Sequence, residues 1–127
     1  MGILREDITD ASKWVAEALA SSGYKADFTP QRLWEIDRFF NEQSQNGEPV
    51  PKGLLSENLG SKIFAIGSYI GEVIRLAKGA EWRTDDSDSK GEINIELELP
   101  DSTKCWPVQR VMKRFKNGFE DSIGAYG

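Results

Sequence analysis

Hydrophobic positions recur at helical spacing in the first part of the chain, alternate strictly near residue 95, and return to helical spacing after residue 107. The earliest stretch, residues 10–22, puts Trp14, Val15, Ala18 and Leu19 on one face. Thr9 or Asp10 can cap its start, and Gly23 suits the position just past its end. A second helix has a clearer opening: Thr29 is a cap residue, Pro30 fits the first helical position, and Phe28 is spaced to staple onto Leu33. Leu33, Ile36 and Phe40 line its inner face, with Trp34 and Phe39 extending it, and it should end between Asn41 and Gln43. Residues 44–53, SQNGEPVPKG, read as a loop, either a connector or a lid.

The longest element predicted spans Ser56 to Lys78. On a helical wheel Leu59, Ile63, Ile66, Ile70, Val73, Ile74 and Ala77 spread over one broad side, while Gly60, Phe64, Gly67 and Gly71 form a narrow ridge at its edge. Lys62, Glu72 and Arg75 are its only charges between Leu59 and Ala77, so it should be enclosed by the rest of the domain. Each interior glycine costs about 1 kcal/mol relative to alanine, which is reasonable only where another backbone passes where a Cβ would stand. Gly79 ends the helix. A strand is expected over 80–84, an acidic turn follows, and Ile93, Ile95, Leu97 and Leu99 alternate with polar residues to make 92–99 a second strand of an antiparallel sheet. Thr103 to Trp106 can add a third. Pro107 then opens a helix with Val108, Val111, Met112 and Phe115 inward and Arg110, Lys113, Arg114 and Lys116 outward. Asn117-Gly118 closes it, and Phe119 to Tyr126 can form a last helical turn. The fold class is α+β in one domain: two N-terminal helices, a long central helix, a two- or three-stranded antiparallel sheet and C-terminal helices.

Composition narrows the chemistry more than the fold. The 127 residues hold one cysteine and no histidine. A disulfide scaffold, Ser-His-Asp or Cys-His nucleophiles and thiolate- or imidazole-rich metal sites are therefore not expected, and neither a metal nor a cofactor is called for. Residues 1–10 lack the apolar stretch of a signal peptide and no run suits a membrane span, so a reducing, cytoplasmic setting is the expectation. The net charge of −5 argues against nucleic acid as a partner. Charge is nonetheless sorted: residues 81–101 hold eight acids against Arg83 and Lys90, whereas 102–118 hold five basic residues and no acid.

Most motifs dissolve on inspection. Asp86, Asp88, Gly91 and Ile93 fit part of a calcium loop, but Lys90 stands where a ligand oxygen belongs and Leu97 where a bidentate glutamate is needed. An acidic hairpin turn accounts for them. Gly67 and Gly71 are spaced G-x-x-x-G inside a helix, which is no nucleotide loop. Cys105, beside Lys104, is read as a small buried hydrophobe, and the basic helix after Pro107 as a solvated face rather than a phosphate track.

The candidate binding residues are Tyr69, Glu72, Arg75, Glu81 and Trp82. Glu72 and Arg75 lie three apart on a helix otherwise poor in charge, where charges either brace the structure or line a site. Two readings stay open: an ion pair bracing the helix against Trp82, or a pocket offering a carboxylate and a guanidinium to a ligand.

The segment Gly67-Ser-Tyr69-Ile-Gly71-Glu72-Val73-Ile-Arg75, followed by Gly79-Ala-Glu81-Trp82, resembles a loose group of small uncharacterised bacterial domains with a G-x-Y-x-G-E-V-x-R helix and a G-x-x-W strand entry. Pro107-Val, Lys113-Arg114 and Asn117-Gly118 extend the resemblance over residues 59–122. It implies a bacterial source and an α+β fold, with no activity or site attached. The expected function is a non-enzymatic cytoplasmic module that binds another protein, in one version an immunity-like protein masking a basic toxin. The alternative is a small-molecule binder or a hydrolase with Glu72 or Glu81 as base.

Overall fold

Where the first helix begins is decided from the far side of the chain. The computed structural model describes residues 3–45, 48–49, 51, 59–88 and 90–117. In it α1 runs Ile3–Ser21, seven residues longer at its start than the pattern over 10–22 implied. The carboxylate of Asp86 accepts the backbone N–H groups of Ile3 and Leu4, each at 2.9 Å, and so fills the role of an N-cap. Thr9 is no cap; its hydroxyl donates to the Arg5 carbonyl inside the helix. With the start moved back, Leu4, Ile8, Val15, Ala16 and Leu19 become the buried stripe, and Trp14 turns out to be 53% exposed.

The second helix also opens differently. Thr29 makes no capping bond, its hydroxyl bonding Asp27 instead, and Pro30–Arg32 form one 3-10 turn before α2, Leu33–Gln43. Phe28 sits at φ 63, a left-handed conformation unusual for an aromatic residue, and its ring packs on Tyr69 with centroids 4.8 Å apart. Part of the expected loop is a small ladder: β1 (Ser44–Gln45) pairs antiparallel with β2 (Glu48–Pro49).

The central helix α3 is described over Leu59–Lys78, and every residue from Phe64 to Ile74 is buried. Residues 56–58 lie outside the described residues. Enclosure comes mainly from α1 on one side and from α4, Pro107–Asn117, on the other. The glycine ridge is only partly explained by close approach. At Gly67 a Cβ would stand 2.8 Å from Val108 Cα and 3.0 Å from its backbone nitrogen, so α4 rests there on bare main chain. At Gly71 it would run into the Trp82 indole. At Gly60 it would meet nothing within 4 Å, contrary to the expectation of contact along the whole ridge.

Three short strands, β3 (Glu81–Arg83), β4 (Glu96–Glu98) and β5 (Lys104–Cys105), form an antiparallel sheet in that order, with Trp82 opposite Leu97 and Leu97 opposite Cys105. The alternation over 92–99 predicts a longer strand than forms. Residues 91–94 belong to the turn, where the Ile93 and Asn94 amides both bond the Lys90 carbonyl, and Ile93 is 39% exposed.

On α4 the expected apolar face is rotated. Val108, Val111 and Arg114 are buried, Phe115 is half-buried, and Met112 is exposed. Arg114, read from sequence as a surface cation, is 2% exposed: its Nε donates to Asp37 Oδ1 at 2.8 Å, and its Nη2 to the Asp37 carbonyl and to Asn41 Oδ1. The turn expected over 119–126 lies outside the described residues.

The interior is one main cluster built from α1, α2, α3, Tyr24, Ala80, Leu97 and Val111 of α4, plus a smaller one of Ile8, Phe64, Ile95 and Val108. The protein is α+β. Among the described residues no helix is long and apolar enough to cross a membrane.

Candidate functional site

Three of the five candidate residues, Glu72, Arg75 and Trp82, are brought together, and their geometry is that of a brace. Gly79, at φ 71, turns the chain out of α3 so that β3 runs back beside the helix. The bare surface at Gly71 lets the Trp82 indole lie against α3. From there its Nε1–H donates to Glu72 Oε2 at 2.7 Å, and one helical turn on, Arg75 donates from Nε to Oε2 at 2.7 Å and from Nη2 to Oε1 at 3.2 Å. Both carboxylate oxygens of Glu72 are thus occupied, and the residue is buried.

Burial pushes the Glu72 pKa up, but the hydrogen bonds from Arg75 and Trp82 and the guanidinium charge outweigh it, and the group sits below the ordinary glutamate range. A carboxylate held in this way is a poor proton acceptor at neutral pH. Tyr69 is fully buried, and its hydroxyl accepts the backbone N–H of Phe28 at 3.1 Å, which holds that left-handed residue in place. Glu81 stands apart: its side chain is 73% exposed and reaches Arg83 at 3.6 Å.

Among the described residues the cavities lie elsewhere. The cavities described on this surface are lined by residues other than these five. The largest, about 610 Å³, opens between α1 and the start of α3. Asp7, Asp10 and Glu92 rim it, Trp14 forms a wall, and Phe64 lies in its floor with Lys62 alongside. A second depression of about 230 Å³ continues from it toward α4, sharing Phe64 and Glu92 and adding Gly60, Ile63, Ile93 and Met112. Together they make one open groove across the first turns of α3.

The carboxylates of Asp7, Asp10 and Glu92 have no hydrogen-bond or ion-pair partner among the described residues. Such groups are available to a second molecule. Sequence reasoning missed this groove because it began α1 too late. Once the helix starts at Ile3, Asp7, Asp10 and Trp14 fall within about 60° of one another on a wheel of about 100° per residue, a single stripe beside the buried one. Glu92 joins them only through the tertiary fold.

Neither a protein-family model nor a curated protein nor a solved structure matches the chain.

Proposed function

We propose that this is a non-enzymatic protein-interaction module of the bacterial cytoplasm that docks another protein on the groove over the first turns of α3. The carrying observation is the contrast between two sets of charges. Glu72, Arg75, Asp37 and Arg114 are bonded to one another or to neighbouring groups inside the fold, whereas Asp7, Asp10 and Glu92 have no such partner among the described residues and stand beside a half-exposed tryptophan. An acidic surface of this kind favours a basic protein partner and disfavours nucleic acid. An immunity-like protein that masks a basic enzyme is its most concrete form. The hydrolase or small-molecule alternative needs a cavity beside Glu72, and no observation favours it.

The test is affinity capture with three baits: the unmodified protein, a Trp14→Ala/Asp10→Lys double variant in the groove, and Glu81→Lys outside it. A partner held by the first and third baits and lost from the second supports the reading. A partner held equally by all three, or none in repeated trials from the source cell, counts against it.

A further inference from the structure

We infer that the groove takes a basic, amphipathic segment of a partner polypeptide, with a lysine or arginine side chain between Trp14 and the Asp7–Asp10 carboxylates and an apolar side chain against Ile93 and Met112. This rests on the interaction reading above and names the chemistry of what docks.

The two depressions differ in character. The one between α1 and α3 holds three carboxylates against one cation, Lys62, a balance of two negative charges. Its wall is an indole that is 53% exposed and without a hydrogen-bonding partner among the described residues. A cation over an indole face gains about 0.5–1 kcal/mol at exposed sites and more as water leaves. A neutral or anionic occupant would instead desolvate those carboxylates with nothing in return.

The depression toward α4 is apolar apart from Glu92, and its exposed side chains are Ile93 and the adaptable thioether of Met112. Because Phe64 and Glu92 line both, one ligand that is cationic at one end and apolar at the other fills them together.

Shape selects a polypeptide over a small organic cation. Small-molecule sites enclose most of their ligand, about 70–90% of its surface, whereas the described residues leave this groove open. Its floor is already ordered, since Phe64 packs with Ile8, Ile95 and Val108 in a cluster of its own. Gly60 fits the same picture. Its missing Cβ relieves no contact within the fold, yet it lines the apolar depression, where a side chain would raise the floor toward the incoming segment.

The experiment uses the full chain and three short synthetic peptides of equal length: an amphipathic Lys/Leu peptide, its Glu/Leu twin, and a Lys/Ser twin without the apolar face. Binding is followed by amide chemical shifts. The Lys/Leu peptide is expected to shift amides near residues 7–14, 60–65 and 92–93 and to bind more weakly as salt rises. It should also bind about tenfold more tightly than either twin. Asp7→Asn with Asp10→Asn should weaken it about three- to tenfold, while Glu81→Gln with Asp101→Asn, an equal charge change at exposed positions that do not line the groove, should not.

Equal binding of the Glu/Leu twin, equal loss in the two double variants, or shifts confined to other surfaces would overturn the proposal. A captured partner that needs Trp14 but tolerates Asp7→Asn/Asp10→Asn at every salt concentration would overturn the cationic chemistry and leave the interaction reading standing. A partner indifferent to Trp14→Ala/Asp10→Lys would remove the interaction reading itself.

Discussion

Replacing Arg114 with methionine is the most severe single test of how the helices are fastened. The guanidinium and Asp37 are each 2% exposed, and the cation reaches the Asp37 carboxylate at 2.8 Å, the Asp37 carbonyl at 3.1 Å and Asn41 Oδ1 at 2.8 Å. It also lies 5.6 Å from the centre of the Phe40 ring. Methionine keeps much of the apolar stem but takes from a carboxylate that is 2% exposed the guanidinium bonded to it. Breaking such a pair from one side costs about 3–5 kcal/mol, against a total stability of about 5–15 kcal/mol for a domain of this kind. In thermal terms the loss is about 10–20 °C.

Asp37→Leu combined with Arg114→Met removes both charges and should recover most of that loss, to within about 1–2 kcal/mol of the unmodified protein. Asn41, exposed on its other side, can turn to water. Urea unfolding of the protein, both single variants and the double gives the coupling directly, provided the denaturant slopes agree. If Arg114→Met loses less than about 1 kcal/mol, or if the two single losses simply add in the double, the pair is not the fastening described here.

Two further predictions concern α3. Gly67→Ala gains up to about 1 kcal/mol of helix propensity but forces Val108 main chain away, so a net loss of about 1–2 kcal/mol is expected, whereas Gly60→Ala, with open space around it, should be neutral or slightly stabilising. Thermal melts of the two variants check the signs, and a destabilised Gly60→Ala would contradict the open surface. For Glu72, a folded-state pKa below the unfolded one means that its contribution is complete at neutral pH. It is lost as pH falls out of the ordinary glutamate range, about 4.3, and through the lower folded value. Glu72→Gln should therefore be less stable at neutral pH and lose less on acidification; parallel acid unfolding curves for the two proteins would refute the assignment.

What the sequence makes legible here is what local periodicity can carry. The enclosed run from Phe64 to Ile74 follows from a helix with hydrophobic and small residues nearly all round, and the antiparallel pairing of Leu97 follows from alternation. Gly67 and Gly71 announce close approach because an interior glycine costs helix stability, although the same inference fails at Gly60. The features that escape are those fixed by a partner far along the chain. Asp86 caps α1 from 82 and 83 residues away, so no signal near Ile3 marks the helix start. Arg114 finds Asp37 across 77 residues, and each taken alone looks like an ordinary surface charge. On the wheel Arg114 lies about 60° from Val111, at the edge of the apolar stripe, so rotating α4 toward it buries Arg114 and exposes Met112 at the opposite edge. The candidate site is legible as a cluster for the same reason: Glu72, Arg75 and Trp82 are near in sequence. Its role as a brace is one of the two readings the sequence leaves open, and the Trp82 Nε1–H bond to Glu72 is what favours it over a pocket.

The brace and the groove are connected through what each does with charge. An acid on α3 costs less once Arg75 and Trp82 saturate it, and Asp37 is matched by Arg114, so the interior settles its own electrostatics. Asp7 and Asp10 are treated differently. They are one turn apart on α1, where like charges repel by a few tenths of a kcal/mol, and Glu92 is brought to the same rim rather than away from it. The positive end of the helix dipole, within one or two turns of Asp7, offsets only part of that. A fold indifferent to the groove would lose nothing by scattering these carboxylates. On the interaction reading proposed above, concentrating them around an exposed indole keeps a repulsion that a partner's cation would relieve, and would disfavour anionic partners.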